Sequence, residues 1–158
     1  MANVKPIPEG YSNVTPYLIV SNGAGAIDFY KRIFGAVEIM RMPGPGGRVG
    51  HAELRIGESI IMLADENPQA GVRGPQPGGR PPVNFLIYVD QVDAVTAKAE
   101  LNGAKIVRPP QDQFYGDRTA TLTDPFGHEW TIATHVEDVS HEEMERRATS
   151  MAATASHN

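Results

Sequence analysis

The strongest constraint on the fold is an internal repeat. Residues 14–40 (VTPYLIVSNGAGAIDFYKRIFGAVEIM) and 83–107 (VNFLIYVDQVDAVTAKAELNGAKIV) share an apolar β-branched run, a helical pattern of apolar residues and a second apolar run. In both copies a Gly-Ala pair follows the helical pattern, at Gly35 in the first copy and at Gly103 in the second. A glycine at this position favours the left-handed conformation that ends a helix. With only two copies, the pattern predicts a duplicated β-α-β unit and not a solenoid.

Two further strands are predicted at the end of each copy. Gly57-Glu58 separates VGHAELRI from SIIMLA, and DPFG, a type I turn signature, separates RTATLT from EWTIAT. We therefore predict an α+β chain of two tandem βαβββ modules, at residues 12–66 and 83–136. Nine of the 16 residues in the intervening segment 67–82 are Pro or Gly, which predicts a linker without regular structure. Ser140 and Glu143 fit a capping box, so residues 140–158 are predicted to form a helix to about Met151 and then a loose tail.

Composition excludes several classes of function. The chain has 158 residues and no cysteine, which removes thiol catalysis, zinc knuckles and disulfide frameworks. Its net charge is −5 and it has no basic cluster with interleaved aromatics, so we expect no nucleic-acid partner. We expect no membrane partner either, and a cytoplasmic location, because no apolar run approaches the roughly 20 residues that span a bilayer and the start of the chain lacks a signal-peptide core.

Three other motifs that carry chemistry elsewhere are absent or weak. NGAGAI at residues 22–27 resembles a dinucleotide loop but lacks the third glycine, and we interpret it as a tight strand-to-helix turn. The chain has no serine elbow and no P-loop. PGPGG at residues 43–47 is interpreted as a hairpin connection, with a lid as the alternative.

The repeated modules, AIDFYKRIFGA after the first strand and DPFGHEWTI in the last hairpin resemble the vicinal oxygen chelate superfamily, which includes glyoxalase I, bleomycin-resistance proteins and extradiol dioxygenases. VTPYLIV, HAELRIGESIIMLADE and YGDRTATLTDPFGHEW are most similar to its PhnB-like branch. The resemblance covers residues 12–136. It implies the glyoxalase/bleomycin-resistance fold, in which the sheets form a half-open curved cup with helices on the convex side and ligands on the concave side.

Alternation along the strands assigns the two faces independently of the resemblance. In the third strand Ala52, Leu54 and Ile56 form an apolar face, and His51 and Glu53 lie on the opposite, mixed face. Apolar faces are expected to cover the helices, and a mixed face is typical of a ligand pocket. The candidate ligand-binding residues are Tyr17, His51, Glu53, Asn84, Tyr88, Tyr115, Arg118 and Thr131.

The resemblance also implies four metal-ligand positions in metal-dependent members of the superfamily. They fall on Thr15, Glu53, Asn84 and Thr131, of which only Glu53 is a competent ligand for a transition metal. We therefore predict no metal and no other cofactor. A displaced site that uses His51 and Glu53 with His128 or Glu129 is the alternative.

His51 and Glu53 support three interpretations. They contact a ligand, they form a solvated hydrogen bond that fixes a tautomer, or they perform acid–base or metal chemistry. If Tyr17, Met62 and Leu86 wall in Glu53, its pKa is expected to rise, which would suit a proton shuttle.

We predict a homodimer that binds a small organic molecule in the cup without an obligatory metal, similar to bleomycin-resistance proteins. The edges of the half-open sheets can pair with a second chain. One alternative is a metal-assisted lyase, isomerase or transferase with Glu53 as base or ligand. Another is an interaction module whose own side chains fill the cup.

Overall fold

The computed structural model describes residues 4–155 and contains eight strands and three α-helices. The first module consists of β1 (Tyr17–Val20), α1 (Gly23–Phe34), β2 (Val37–Pro43), β3 (Val49–Ile56) and β4 (Ser59–Asp65). The second module consists of β5 (Asn84–Tyr88), α2 (Val92–Leu101), β6 (Lys105–Asp112), β7 (Asp117–Thr123) and β8 (Glu129–His135), and α3 (His141–Ala155) follows. The predicted α+β fold with two βαβββ modules is confirmed.

Each module forms its own mixed four-stranded sheet. The strand orders are β1-β4-β3-β2 and β5-β8-β7-β6, so the outer strands of both sheets are open edges. β1 pairs with β4, and β5 pairs with β8, in parallel, whereas the other pairs are antiparallel. The contacts divide the chain into two units, one running to Pro81 and including Pro125–His128, the other comprising Pro82–Asp124 and the chain from Glu129 onward.

The ends of α1 follow from its sequence. The side chain of Asn22 accepts a hydrogen bond of 2.9 Å from the backbone N–H of Gly25, which satisfies one of the donors left free in the first helical turn. Gly35 ends the helix with φ 66°, a conformation that glycine adopts without steric cost. NGAGAI is thus the strand-to-helix turn that was expected.

The first core lies between α1 and one face of its sheet. Ile27 and Tyr30 on the helix are fully buried, as are Leu18, Leu54 and Leu63 on the strands. Residues three or four positions apart lie on one face of a helix, and every second residue lies on one face of a strand. The core forms where these two faces pack together. The predicted assignment of Ala52 and Leu54 to the helix-covered face is confirmed by their burial, whereas Ile56 at the end of β3 is only half-buried.

The second core is anchored by polar contacts as well as apolar burial. Trp130 packs against Phe85 with ring centroids 4.9 Å apart, and its Nε1 donates a 2.9 Å hydrogen bond to Asp124 in the DPFG turn. The N-terminus of α2 is capped from another element, because the N–H of Val92 donates to Thr134 Oγ1.

The linker and the C-terminal helix depart in detail from the predictions. The Pro/Gly-rich segment contains one short turn of 3₁₀ helix, Pro68–Ala70, where Asn67 supplies the capping oxygen. The predicted cap at Ser140 is present, since its Oγ accepts from the N–H of Glu143. The helix, however, continues through Ala155 and not to about Met151, and the end of the expected tail lies outside the described residues. No helix in residues 4–155 is long and apolar enough to cross a membrane.

Candidate functional site

The face of the first sheet that is turned away from α1 carries a row of adjacent side chains from all four strands. The strand register pairs Tyr17 with Met62, Met62 with Glu53, and Glu53 with Met40. Residues paired directly across strands project from the same face, so these four side chains lie side by side. His51 lies on this face two positions before Glu53 and is paired with Met42. The face therefore combines an aromatic ring, thioethers, an imidazole and a carboxylate.

Three of its polar side chains and that of Tyr11, from the segment before β1, form a continuous chain of hydrogen bonds, which we call the Tyr11–Tyr17 relay. The hydroxyl of Tyr17 lies 2.8 Å from His51 Nδ1, and His51 Nε2 lies 3.1 Å from Glu53 Oε1. The hydroxyl of Tyr11 donates to Glu53 Oε2. With the imidazole proton on Nε2, Tyr17 donates to Nδ1 and every bond in the chain has one donor and one acceptor. The structure thus brings Tyr17, His51 and Glu53 together and adds Tyr11 to them.

The relay keeps Glu53 ionised. Only 8% of Glu53 is exposed, and burial by itself raises the pKa of a carboxyl group. The hydrogen bond from Tyr11, followed by that from His51, outweighs burial and lowers the pKa of Glu53. The expected rise in the pKa of Glu53 is therefore wrong, because the expectation included apolar walls and no donors.

The pKa values of the two tyrosines in the relay are raised, whereas that of Glu53 is lowered. The hydrogen bond to Glu53 raises the pKa of the Tyr11 phenol, and burial followed by the charge of Glu53 raises that of Tyr17. Both phenols therefore stay protonated at neutral pH. Tyr17 is 48% exposed, so its hydroxyl can reach a ligand while it is held by His51.

A pocket of about 410 Å³ lies where the N-terminal segment passes β2, β3 and β4. We call it the Tyr11 pocket. Its volume is within the range of small-molecule sites. The apolar lining comes from Val37, Ile39 and Ile60, and the polar lining includes Glu9, Tyr11 and Arg55. Tyr11 belongs both to this pocket and to the relay.

Two of the predicted residues, Asn84 and Thr131, lie on the second sheet. The amide of Asn84 donates a 2.8 Å hydrogen bond to Glu129 Oε1, and the two residues are paired across β5 and β8. Thr131 lies two positions after Glu129 on the same strand and therefore on the same face. Their roles in ligand binding stay predictions.

Tyr88 belongs to a second polar cluster, which we call the Asp117 cluster. Its hydroxyl donates to Asp117 Oδ2 at 2.8 Å, and Asp117 Oδ1 lies 2.7 Å from His135 Nδ1. His135 Nε2 lies 3.0 Å from Asp138 Oδ1. The hydrogen bonds to Asp138 and then Asp117 raise the pKa of His135, since two carboxylates stabilise the imidazolium. The hydrogen bond to Asp117 raises the pKa of Tyr88, and burial and the charge of Asp117 add to the rise.

Arg118 is engaged by two carboxylates of the second module. Its Nε and one terminal nitrogen bind the carboxylate of Asp93 in α2 at 2.7 and 2.8 Å, and the other nitrogen binds Asp112 at 2.9 Å. Asp93 on the helix shows that this guanidinium lies on the helix-covered side of the second sheet. Arg118 is therefore engaged between two carboxylates and is left out of the site proposed below.

The residues present do not fit a divalent metal. Both oxygens of Glu53 accept hydrogen bonds from the relay, and Thr15 lies before the start of β1. His128, part of the alternative metal site, has its Nε2 bonded to the backbone oxygen of Ile19 at 3.0 Å. Within residues 4–155, no three His, Asp or Glu side chains are grouped in a way that can hold an ion. These side chains therefore form hydrogen bonds within the protein and do not provide the ligands that a transition metal needs.

Tyr11, Asp117 and His135 were not predicted. Tyr11 precedes the first strand, and no periodicity connects it to Glu53. Asp117 and His135 did carry a signal in the sequence. Asp117 is separated by two and four positions from Thr119 and Thr121 along β7, and His135 is four positions after Thr131 along β8. Residues separated by an even number of positions in a strand lie on the same face, so Asp117 and His135 lie on the mixed face of the second sheet.

Comparison with known proteins identifies the family. The family model described as the Glyoxalase/Bleomycin resistance protein/Dioxygenase superfamily matches residues 12–132. The chain belongs to this superfamily. The resemblance seen in the sequence motifs is thereby confirmed.

Three relatives of this glyoxalase-superfamily protein show how the likeness is distributed. An uncharacterized protein of Mycobacterium tuberculosis (strain ATCC 25618 / H37Rv) is 41% identical over 135 residues, covering 84% of this chain and 79% of that protein. The crystal structure of TioX from Micromonospora sp. ML1 is 28% identical, covers 80% of this chain and 100% of that chain, and gives a TM-score of 0.61. A PhnB protein from Bacillus cereus is 16% identical, covers 78% and 99%, and gives 0.61, so it shows the shared fold alone.

Proposed function

We propose that this protein binds a small organic molecule on the open face of its first sheet, against the Tyr11–Tyr17 relay. The single observation that carries the proposal is the relay itself. It fixes Tyr17, His51 and Glu53 on a sheet face that also carries half-exposed Met40 and Met42. Tyr11 joins the relay from the preceding segment, and a pocket of suitable volume lies there. Apolar contact area with a few oriented polar groups is the usual composition of a small-molecule site.

Binding is favoured over base catalysis by Glu53. A general base works best when its pKa lies near the working pH, whereas the hydrogen bonds from Tyr11 and His51 lower the pKa of Glu53. Both carboxylate oxygens are also engaged by protein donors. Glu53 therefore acts in this proposal as the fixed acceptor that orients His51 and Tyr11, and Tyr17 provides the contact with the ligand.

The proposal includes a homodimer. β2 is an outer strand of the first sheet, so the backbone groups along its outer side have no partner strand in the described part of the chain. An open edge is suited to pairing with another strand, and a second copy of the chain presents the same edge. Sedimentation velocity over a range of concentrations tests this part, and a monomer at every concentration would contradict it.

The binding site is tested by screening a library of small organic fragments against ¹⁵N-labelled protein by NMR. We expect hits to shift the amide resonances of residues 11, 17, 51 and 53. Tyr17→Ala is expected to abolish these shifts because it removes the exposed end of the relay. Met151→Ala, at an exposed position on α3, is the matched control and leaves them unchanged.

Two results would contradict the proposal. In one, the fragments that bind shift resonances elsewhere and leave the relay unaffected. In the other, Tyr17→Ala binds the same fragments with unchanged affinity, which would make the relay a structural hydrogen-bond network.

A further inference from the structure

The Tyr11 pocket contains two uncompensated charges of opposite sign. Among its charged lining residues, Glu38 is held by the two guanidinium nitrogens of Arg41 at 2.8 and 3.0 Å. Arg55 and Glu9 have no hydrogen-bond or ion-pair partner in the described part of the chain, which also means that they do not pair with each other. A guanidinium and a carboxylate thus line one pocket without neutralising one another.

Charge complementarity restricts which molecules such a pocket accepts. A simple anion is attracted by Arg55 and repelled by Glu9. A simple cation is attracted by Glu9 and repelled by Arg55. A molecule with both charges satisfies the two groups together. Specificity then arises from the repulsion of singly charged competitors as well as from attraction.

The remaining lining determines the body of the ligand. Val37, Ile39 and Ile60 present aliphatic surface, and Val37 and Ile39 are 52% and 46% exposed. The register between β2 and β3 shifts between Glu38 and Met40, so Ile39 is the extra residue of a β-bulge. The bulge adds an aliphatic side chain to the pocket lining beside the two charges.

We propose that the Tyr11 pocket binds a small zwitterion with an apolar side chain, that is, a molecule of the apolar α-amino acid class. The carboxylate pairs with Arg55, the ammonium pairs with Glu9, and the side chain covers Val37, Ile39 and Ile60. This proposal names the ligand class of the site described under Proposed function and rests on it. Both charged side chains are exposed, so binding is weak and decreases with salt.

The test is an NMR titration of the ¹⁵N-labelled full chain at low ionic strength with three probes of one skeleton. L-Phenylalanine carries both charges, N-acetyl-L-phenylalanine only the negative one, and L-phenylalaninamide only the positive one. L-Leucine and L-methionine vary the apolar part. We expect the zwitterions to shift residues 9–11, 37–39, 55 and 60 with Kd of about a millimolar, roughly fivefold tighter than either singly charged analogue.

Charge-neutral variants separate the two contacts. Arg55→Gln is expected to weaken phenylalanine binding by about fivefold and to remove the advantage over phenylalaninamide. Glu9→Gln is expected to remove the advantage over N-acetyl-phenylalanine. Arg73→Gln and Glu58→Gln, at exposed positions outside the pocket, are the matched controls and leave all three affinities unchanged.

The outcomes distinguish this inference from the proposed function. Equal binding of the three probes, or no binding of any amino acid while library fragments still shift Tyr17 and His51, overturns the zwitterion proposal and leaves the proposed function standing. If neither fragments nor amino acids affect the relay or the pocket, both proposals fail. Arg55→Gln with unchanged affinity for phenylalanine also overturns the inference, even if phenylalanine binds.

Discussion

The hydroxyl of Tyr11 donates a hydrogen bond to the carboxylate of Glu53, which lies 42 positions further along the chain. This bond connects the segment before the first strand to the centre of the first sheet. It also completes the set of donors around Glu53, which reverses the effect of burial on its pKa. The ionised carboxylate in turn holds His51, and His51 holds Tyr17.

We predict that Tyr11→Phe raises the pKa of Glu53 towards its ordinary value and destabilises the protein at neutral pH. A lowered carboxyl pKa contributes stability above the pKa of the unfolded chain, and this stability is lost as pH falls through the folded pKa. The difference between wild type and Tyr11→Phe in urea unfolding should therefore shrink as the solution is acidified below pH ~4. Tyr115→Phe, which loses a hydroxyl without a hydrogen-bond partner in residues 4–155, is the control. A pH-independent difference would argue against the prediction.

His135 gives the opposite pH dependence. Its pKa is raised by Asp138 and Asp117, so its contribution to stability is full below the pKa of an unfolded histidine, ~6.5, and is lost as pH rises through the folded pKa. We expect His135→Gln to be less stable than wild type at acidic pH and to approach it at alkaline pH. Denaturant unfolding across this range measures the effect, and His141→Gln on α3 is the control. The prediction fails if the gap widens as pH rises.

Leu54 tests the packing of the first core. It lies on β3, on the helix-covered side of the first sheet, and is fully buried. Leu54→Ala is expected to lower the free energy of unfolding by about 2–5 kcal/mol, because it removes buried methyl groups and leaves a cavity. Leu101→Ala provides the matched substitution at an 87% exposed site and should change stability little. Similar losses in the two variants would contradict the assigned core.

Divalent metals are predicted to bind weakly. The relay engages both oxygens of Glu53, and the other positions that the family resemblance implies are Thr15, Asn84 and Thr131. Calorimetric titration with Zn²⁺, Ni²⁺ and Mn²⁺, together with elemental analysis of the purified protein, should show no stoichiometric tight site. Tight binding that Glu53→Ala abolishes would overturn the metal-free proposal.

Arg118 is predicted to have no role in ligand binding at the relay. Its guanidinium is already engaged by the carboxylates of Asp93 and Asp112 within the second module. Arg118→Gln should therefore leave fragment binding to the first sheet unchanged, as measured by the same NMR titrations. A loss of binding comparable to that of Tyr17→Ala would show that the ion-pair cluster supports the site.

Local signals in the sequence were sufficient for much of the first site. Alternation along β3 placed His51 and Glu53 on one face, and alternation along β1 added Tyr17, because the period of two in a strand fixes which side chains share a side. Alternation does not identify the partners of Arg118, because it gives a face of the sheet and not the helix that covers that face. Its bond to Asp93 on α2 becomes visible only in the folded chain, and a role of Arg118 in ligand binding stays a prediction.

The sequence alone determined the repeat, the two βαβββ modules, the ends of α1 and the superfamily, because these depend on periodicity, capping residues and motifs that are local in the chain. Only the tertiary structure decided the protonation of Glu53 and the charges of the Tyr11 pocket. Both depend on which residues from distant segments come within hydrogen-bonding distance. The pKa of a buried carboxyl group is a balance of burial against donors, and the donor from Tyr11 becomes visible only when the chain is folded.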